Sequence, residues 1–147
     1  MIPSIISGAL SIDDRGTLTF FNGFNVEHEP VKRMYLTENH QPNFVRAWHA
    51  HKHEAKFVMA VSGSALVCVV KVVNWKRPRK DTPVHRFTLS ASSPSILCIP
   101  AGYANGWMSL TGDAKLLWFS SANLEESKND DVRFPVRYWN PWKVEER

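Results

Sequence analysis

A chain of 147 residues with 44% hydrophobic and 22% charged residues has the make-up of one ordinary globular domain, which excludes disordered and collagen-like classes. The longest unbroken apolar stretch, residues 65–70, is far short of the ~20 residues a membrane helix needs, and residues 1–10 place no basic segment ahead of their apolar side chains, so neither a membrane span nor an export signal is expected. The net charge of +4 is small and largely local, because Lys71, Lys76, Arg77, Arg79, Lys80 and Arg86 face only Asp81, which suits a solvated loop or an anionic small ligand better than nucleic acid.

In chain order, residues 17–21 form a short β-rich run after the turn signal Asp13-Asp14-Arg15-Gly16, and residues 31–37 follow a proline with alternating character. Residues 44–53 alternate loosely. The apolar runs 57–61 and 65–73 flank Ser62-Gly63-Ser64, which reads as a hairpin turn. Residues 84–89, 95–99, 106–110 and 114–120 continue the pattern, each bounded by Pro, Gly, Ser or Asp, and only residues 122–129 suit a helical turn. Short strands at this spacing are the signature of a sandwich or barrel. The aromatic segment Tyr138-Trp139-Asn140-Pro141-Trp142 suits either an edge cover or a subunit contact. Cys68 and Cys98 lie inside separate apolar runs, which predicts buried free thiols and a reducing, cytoplasmic compartment.

Chemistry is densest in Arg46-Ala47-Trp48-His49-Ala50-His51-Lys52-His53-Glu54-Ala55-Lys56. On a strand, residues two apart share a face, so His49, His51 and His53 are expected to line up, where they can bind a metal or move protons.

The pair His49 and His51, the turn Val61-Ser62-Gly63-Ser64 and the stretch Pro100-Ala101-Gly102-Tyr103-Ala104-Asn105-Gly106 resemble the two motifs of the cupin superfamily. The resemblance implies an all-β fold, a cupin antiparallel β-barrel or jelly roll, as a single domain over residues 1–147. Metal-binding cupins carry a Glu near the place of Lys56 and a His at the place of Asn105; an ammonium repels a divalent ion and an amide is a poor transition-metal ligand, so no metal or other cofactor is expected. A metal-dependent oxygenase using His49, His51, His53 and Glu54 is the alternative.

Within cupins, Arg15-Gly16, Val31-Lys32-Arg33-Met34-Tyr35, Glu38-Asn39-His40, Arg46 with His49, Lys56-Phe57-Val58 and Pro100 through Trp107 resemble the dTDP-4-dehydrorhamnose 3,5-epimerases. His49-Ala50-His51-Lys52 and Val61-Ser62-Gly63-Ser64 resemble instead the dTDP-4-keto-6-deoxyglucose 3,4-ketoisomerases. Both implied reactions begin by removing a proton beside the C4 ketone, which needs a neutral base and a cation or donor at the oxygen. By position, His49 matches the epimerase base, His51 a catalytic histidine of the ketoisomerases, and Lys56 the lysine that supports the enolate. Arg46 is placed like the arginine that grips the diphosphate, Arg15 and Asn39 like residues that hold the nucleotide, and Asn105 and Trp107 fall in the motif that meets the sugar.

The epimerases' second acid, a tyrosine following the strand at 114–120, has no counterpart in Trp118-Phe119-Ser120-Ser121-Ala122-Asn123-Leu124, and Tyr103 is the best substitute. The implied function is epimerisation of a nucleotide-linked 4-keto-6-deoxy sugar, at C3 alone or at two carbons. Ketoisomerisation is the alternative, and a cupin that binds such a sugar without turning it over is a third reading. The resemblance also implies a homodimer formed by strand exchange or sheet pairing.

Overall fold

In a computed structural model describing residues 1–147, the strands are β1 (Ser4–Ser7), β2 (Ala9–Asp13), β3 (Gly16–Phe20), β4 (Arg33–Glu38), β5 (Val45–Ala50), β6 (Lys56–Ser62), β7 (Ser64–Lys71), β8 (Val84–Ser90), β9 (Ser95–Ile99), β10 (Tyr103–Ser109), β11 (Lys115–Ser120) and β12 (Val132–Arg133). The one helix, α1 (Leu124–Asn129), starts at a capping box in which Asn123 and Glu126 satisfy each other's backbone N–H groups. Two antiparallel five-stranded sheets, ordered β1-β9-β6-β11-β4 and β12-β5-β10-β7-β8, make the all-β cupin barrel, and β2-β3 is a separate hairpin. No helix is long and apolar enough to cross a membrane.

The apolar run of β7 is explained by burial on both faces. Ala65, Val67 and Val69 join Val58, Leu97, Leu116 and Trp118 in the core between the sheets. Leu66, Cys68 and Val70 point outward into a second core with Trp48, Met108 and Trp139. The second core is closed by the C-terminal aromatics, which therefore cover a sheet face: the Trp48 indole donates to the carbonyls of Val136 (3.1 Å) and Trp139 (3.0 Å) and packs edge-on against the Trp139 ring. The basic segment between β7 and β8 holds this cover down, with Tyr138 Oη donating to the Pro78 carbonyl and Trp139 Nε1 to that of Arg79. Both cysteines are free; Cys68 is buried, which pushes its thiol up to about 12, whereas Cys98 is only partly buried.

Three expectations are corrected. Ser62-Gly63-Ser64 is not a hairpin turn: β6 and β7 belong to different sheets, and the turn is a corner between them. Gly63 sits there at φ +61°, and a Cβ would collide with Thr111, Asp113 and the Ala114 backbone. Strand β5 stops at Ala50, so the chain bends before His51 and the three histidines do not share a strand face. Strand β10 begins at Tyr103 rather than at 106. The short strands β1, β2 and β12 carry no sequence signal strong enough to be read.

Trp139 is 2% exposed and central to the outer cover. Trp139→Ala is expected to cost about 3 to 5 kcal/mol of stability, read as a lowered denaturant midpoint.

Candidate active site

A cavity of about 370 Å3 opens between the two sheets. Arg33, Tyr35 and Thr37 reach it from β4, Lys56 from β6 and Trp118 from β11; Arg46 and His49 come from β5, Asn105 and Trp107 from β10, and Arg133 from β12. His51 follows β5, and Leu124, Ser127, Lys128 and Asp131 close one side. Period-two alternation supplies the strand residues, because every second side chain faces inward. Gly106 lets β10 press against β5 at a register shift between Asn105 and Trp107, where a Cβ would lie 2.5 Å from that of Ala47.

The wall carries five cationic side chains and one carboxylate, Asp131, so it favours an anionic ligand. None of the basic residues between 71 and 86 lies on it, which makes that segment the packing loop described above.

His49 is the neutral group in this field. Burial first, then the charges of Arg133 and Lys56, push its pKa down to about 4 against the opposing pull of Asp131. The Asn105 amide donates to the His49 carbonyl at 3.1 Å and ties the two strands together beneath the ring. Lys56 is also held below the ordinary ammonium value, by burial, with Glu54 opposing the shift. On the facing sheet, Tyr35 stacks on Trp118 with ring centroids 6.1 Å apart, the Arg33 guanidinium lies over its ring, and burial pushes its pKa up to about 12. Tyr35 therefore stays protonated, a hydroxyl donor across the cleft from His49.

The segment after β5 is pinned from outside. Asp130, just past α1, accepts the backbone N–H groups of Lys52 (3.0 Å), His53 (2.8 Å) and Glu54 (3.2 Å). Burial opposes its charge, yet these donors keep its pKa below the ordinary carboxylate value.

Of the residues singled out by sequence, His49, His51, Lys56, Arg46, Asn105 and Trp107 meet at this cavity. Asn39 is buried beneath it: its side-chain oxygen accepts from Arg46 Nε at 2.8 Å while its amide donates to Phe44 O and Ser109 Oγ, so it sets the arginine rather than facing a ligand. Arg15 sits at the tip of the β2-β3 hairpin with its side chain 86% exposed and paired to Asp13, away from the cavity. Tyr103 is not on the wall either; it lies past the end of β5, with its hydroxyl directed to the Met1 carbonyl and Lys71 over its ring. His53 is exposed beside a different depression, so the ligand set of the metal alternative is not assembled, and no group of three or more His, Cys, Asp or Glu side chains is placed to hold a metal ion.

Sequence reasoning missed Arg33, Tyr35, Thr37, Trp118, Asp131 and Arg133 as wall residues. A signal existed on β4, where the polar set 33, 35, 37 alternates with Met34 and Leu36; the apolar pair is the exposed one, the reverse of the usual arrangement. Asp131 and Arg133 carry no local signal, since only the pairing of Arg133 with His49 brings them in.

A family model described as FdtA: WxcM-like, C-terminal matches residues 3–138. No curated protein matches the chain in sequence. Among solved structures it is similar to a 3,4-ketoisomerase from Helicobacter canadensis, with a TM-score of 0.70 and 22% identity over 97% of this chain and 98% of that one. It is also similar to a dTDP-4-dehydrorhamnose 3,5-epimerase from Bacillus anthracis solved with TDP and PPi bound, with a TM-score of 0.75 and 19% identity over 98% and 86% of the two chains. A third is QdtA, a sugar 3,4-ketoisomerase from Thermoanaerobacterium thermosaccharolyticum in complex with TDP, with a TM-score of 0.69 and 20% identity over 92% and 90%. These likenesses are likenesses of fold.

Asp130→Ala takes the acceptor from three backbone N–H groups, of which that of Glu54 is part-buried, and costs about 1 to 3 kcal/mol, measured by thermal unfolding. In an NMR titration the His49 ring protonates near pH 4 rather than near 6.5, and Arg133→Gln moves that midpoint upward, since removing a neighbouring cation makes the imidazolium less unfavourable. The same shift makes folding favour neutral His49, so its contribution to stability is whole above about pH 6.5 and declines as the pH falls toward 4.

Proposed function

The chain belongs to the WxcM-like, C-terminal (FdtA) family, and on that footing we propose that it isomerises a dTDP-linked 4-keto-6-deoxyhexose, acting as a 3,4-ketoisomerase. The observation that carries this reading is the family match across residues 3–138, and the cation-lined cavity that holds His49 and His51 agrees with it. Sequence alone ranked epimerisation first; the family match favours the ketoisomerase reaction.

In the proposed reaction His49, neutral at working pH, takes the proton from C3, and the C–H electrons form a C3–C4 double bond with the charge on the former ketone oxygen. The Lys56 ammonium stabilises that oxyanion, aided by the hydroxyl of Tyr35. Return of the proton to C4, with transfer of the hydroxyl proton from the C3 oxygen to the C4 oxygen, leaves the ketone at C3. Arg46, set by Asn39, grips the diphosphate with its guanidinium. Epimerisation at C3 is the second reading. It is favoured by Tyr35, which stands across the cleft from His49 where a proton would be delivered to the opposite face.

The second part of the proposal is a homodimer. The β2-β3 hairpin pairs with no other strand and exposes Leu10, Ile12 and Leu18, while Met34 and Leu36 are exposed on the edge strand β4. These apolar surfaces suit burial against a second copy, with the arm carrying Arg15 toward it. Sedimentation should show a dimer in solution; a monomer at micromolar concentration contradicts this part.

Incubating the protein with dTDP-4-keto-6-deoxyglucose in deuterated water and following the proton NMR spectrum tests the reaction. A carbonyl moved to C3, with deuterium at C4, supports the ketoisomerase; exchange at C3 with inversion and no carbonyl shift supports the epimerase, and no exchange overturns both. His49→Ala is expected to slow turnover about 10²- to 10⁴-fold. Arg46→Ala should raise KM about 10- to 100-fold with little change in kcat, as befits a contact made equally in ground and transition states.

A further inference from the structure

Glu54 is not on the cavity wall, and its side chain is 1% exposed. Its Oε1 accepts the Ser120 hydroxyl at 2.6 Å and lies 3.4 Å from Arg33 Nη2 and 3.8 Å from Lys56 Nζ. Its Oε2 has no such partner. That oxygen lies 3.0 Å from Nδ1 of His51, though out of line for a full hydrogen bond, and Nδ1 likewise has no other partner. Two buried polar atoms thus have only each other, and burying either alone is costly. The second ring nitrogen, Nε2, faces Asp131, 4.0 Å away on the cavity wall.

We propose that Glu54 is a positioning residue that keeps the neutral-state proton of His51 on Nδ1 and turns the free Nε2 to the cavity, where it takes up and returns a proton beside His49. A carboxylate at one ring nitrogen fixes the tautomer and orientation of an imidazole and stabilises its protonated form. The groups facing His51 come from every element around it: burial and then Lys56 on β6 hold it below the ordinary imidazole value, and Glu54, Asp131 and Asp130 oppose that shift. His49 lacks this support, since Arg133 and Lys56 act on it more strongly than Asp131 does. Rigidity comes from the Asp130 contacts with the backbone of residues 52–54 and from Gly102 N–H donating to the His51 carbonyl at 2.8 Å.

The catalytic consequence rests on the isomerase reading of the cavity; the tautomer does not. Imidazole nitrogen-15 spectra of the substrate-free protein, assigned with His51→Gln, should show neutral His51 with its proton on Nδ1. In Glu54→Leu the proton should move to Nε2, and in Glu54→Asp, which keeps the carboxylate, the Nδ1 form should persist in part. Glu54→Gln should let His51 lose its proton at a pH at least about one unit lower than the unmodified protein. Should Glu54→Leu fail to fold, the nearly isosteric Glu54→Gln decides the matter through that titration. An unchanged tautomer in Glu54→Leu, or an unchanged His51 midpoint in Glu54→Gln, overturns the proposal and leaves Glu54 as a counter-charge to Arg33 and Lys56. If the substituted proteins behave as expected but no keto sugar reacts, the isomerase reading fails while the positioning role stands. If the sugar does react, Glu54→Gln should lower kcat about tenfold or more with KM within about twofold.

Discussion

The acceptance of three successive backbone N–H groups by the Asp130 carboxylate is the contact on which the site's geometry depends. The chain leaves β5 at Ala50 and must reach β6 at Lys56 in the opposite sheet, so the residues between have no ladder to hold them. Without a ladder their donors need another acceptor, and one anionic side chain supplies it for consecutive residues. The segment so fixed carries His51 and Glu54. Because Asp130 lies between α1 and β12, the same contact sets Asp131 opposite His51 and leads into the pairing of Arg133 with His49. The C-terminal segment is thereby part of the site as well as the cover of the outer core.

The cavity has to hold charges inside a barrel whose remaining interior is apolar. Cations outnumber carboxylates on the wall, which suits an anionic ligand and, after burial, helps to keep His49 uncharged. Unpaired, Lys56 and Arg33 would be costly beside Trp118 and the buried strands. Glu54 offsets that cost from behind the wall, where it does not repel an anionic ligand directly, and Ser120 Oγ anchors it by donating to one oxygen. The same buried carboxylate also touches His51, so charge balance and histidine orientation share one side chain.

The two cores explain why so small a domain holds this shape. Strand β7 is buried on both faces, and the outer face would be an apolar patch without Trp139, Trp142 and the segment that bears them. Tyr138 and Trp139 in turn give their polar hydrogens to backbone carbonyls of the basic segment, which explains why that segment belongs to packing rather than to ligand binding.

Sequence by itself determined the class of fold and much of the cavity. Alternation and turn residues marked nine of the strands, and the motif around His49, His51 and Lys56, with Asn105 and Trp107 downstream, pointed to side chains that do meet at one cavity. The strands are readable because period two is a property of neighbouring residues, and the site residues because the motifs that carry the family resemblance are local in sequence. Tertiary structure alone decided that His53 turns away, that Tyr103 is directed to Met1 while Tyr35 faces the cleft, and that Asn39 serves Arg46 from below. It also decided that Glu54 turns back to His51 and that Asp130, Asp131 and Arg133 reach the histidine segment across some eighty residues of chain. The reason is physical: which buried charge finds which partner depends on how distant strands pair and where the chain crosses between sheets, and no local pattern encodes that.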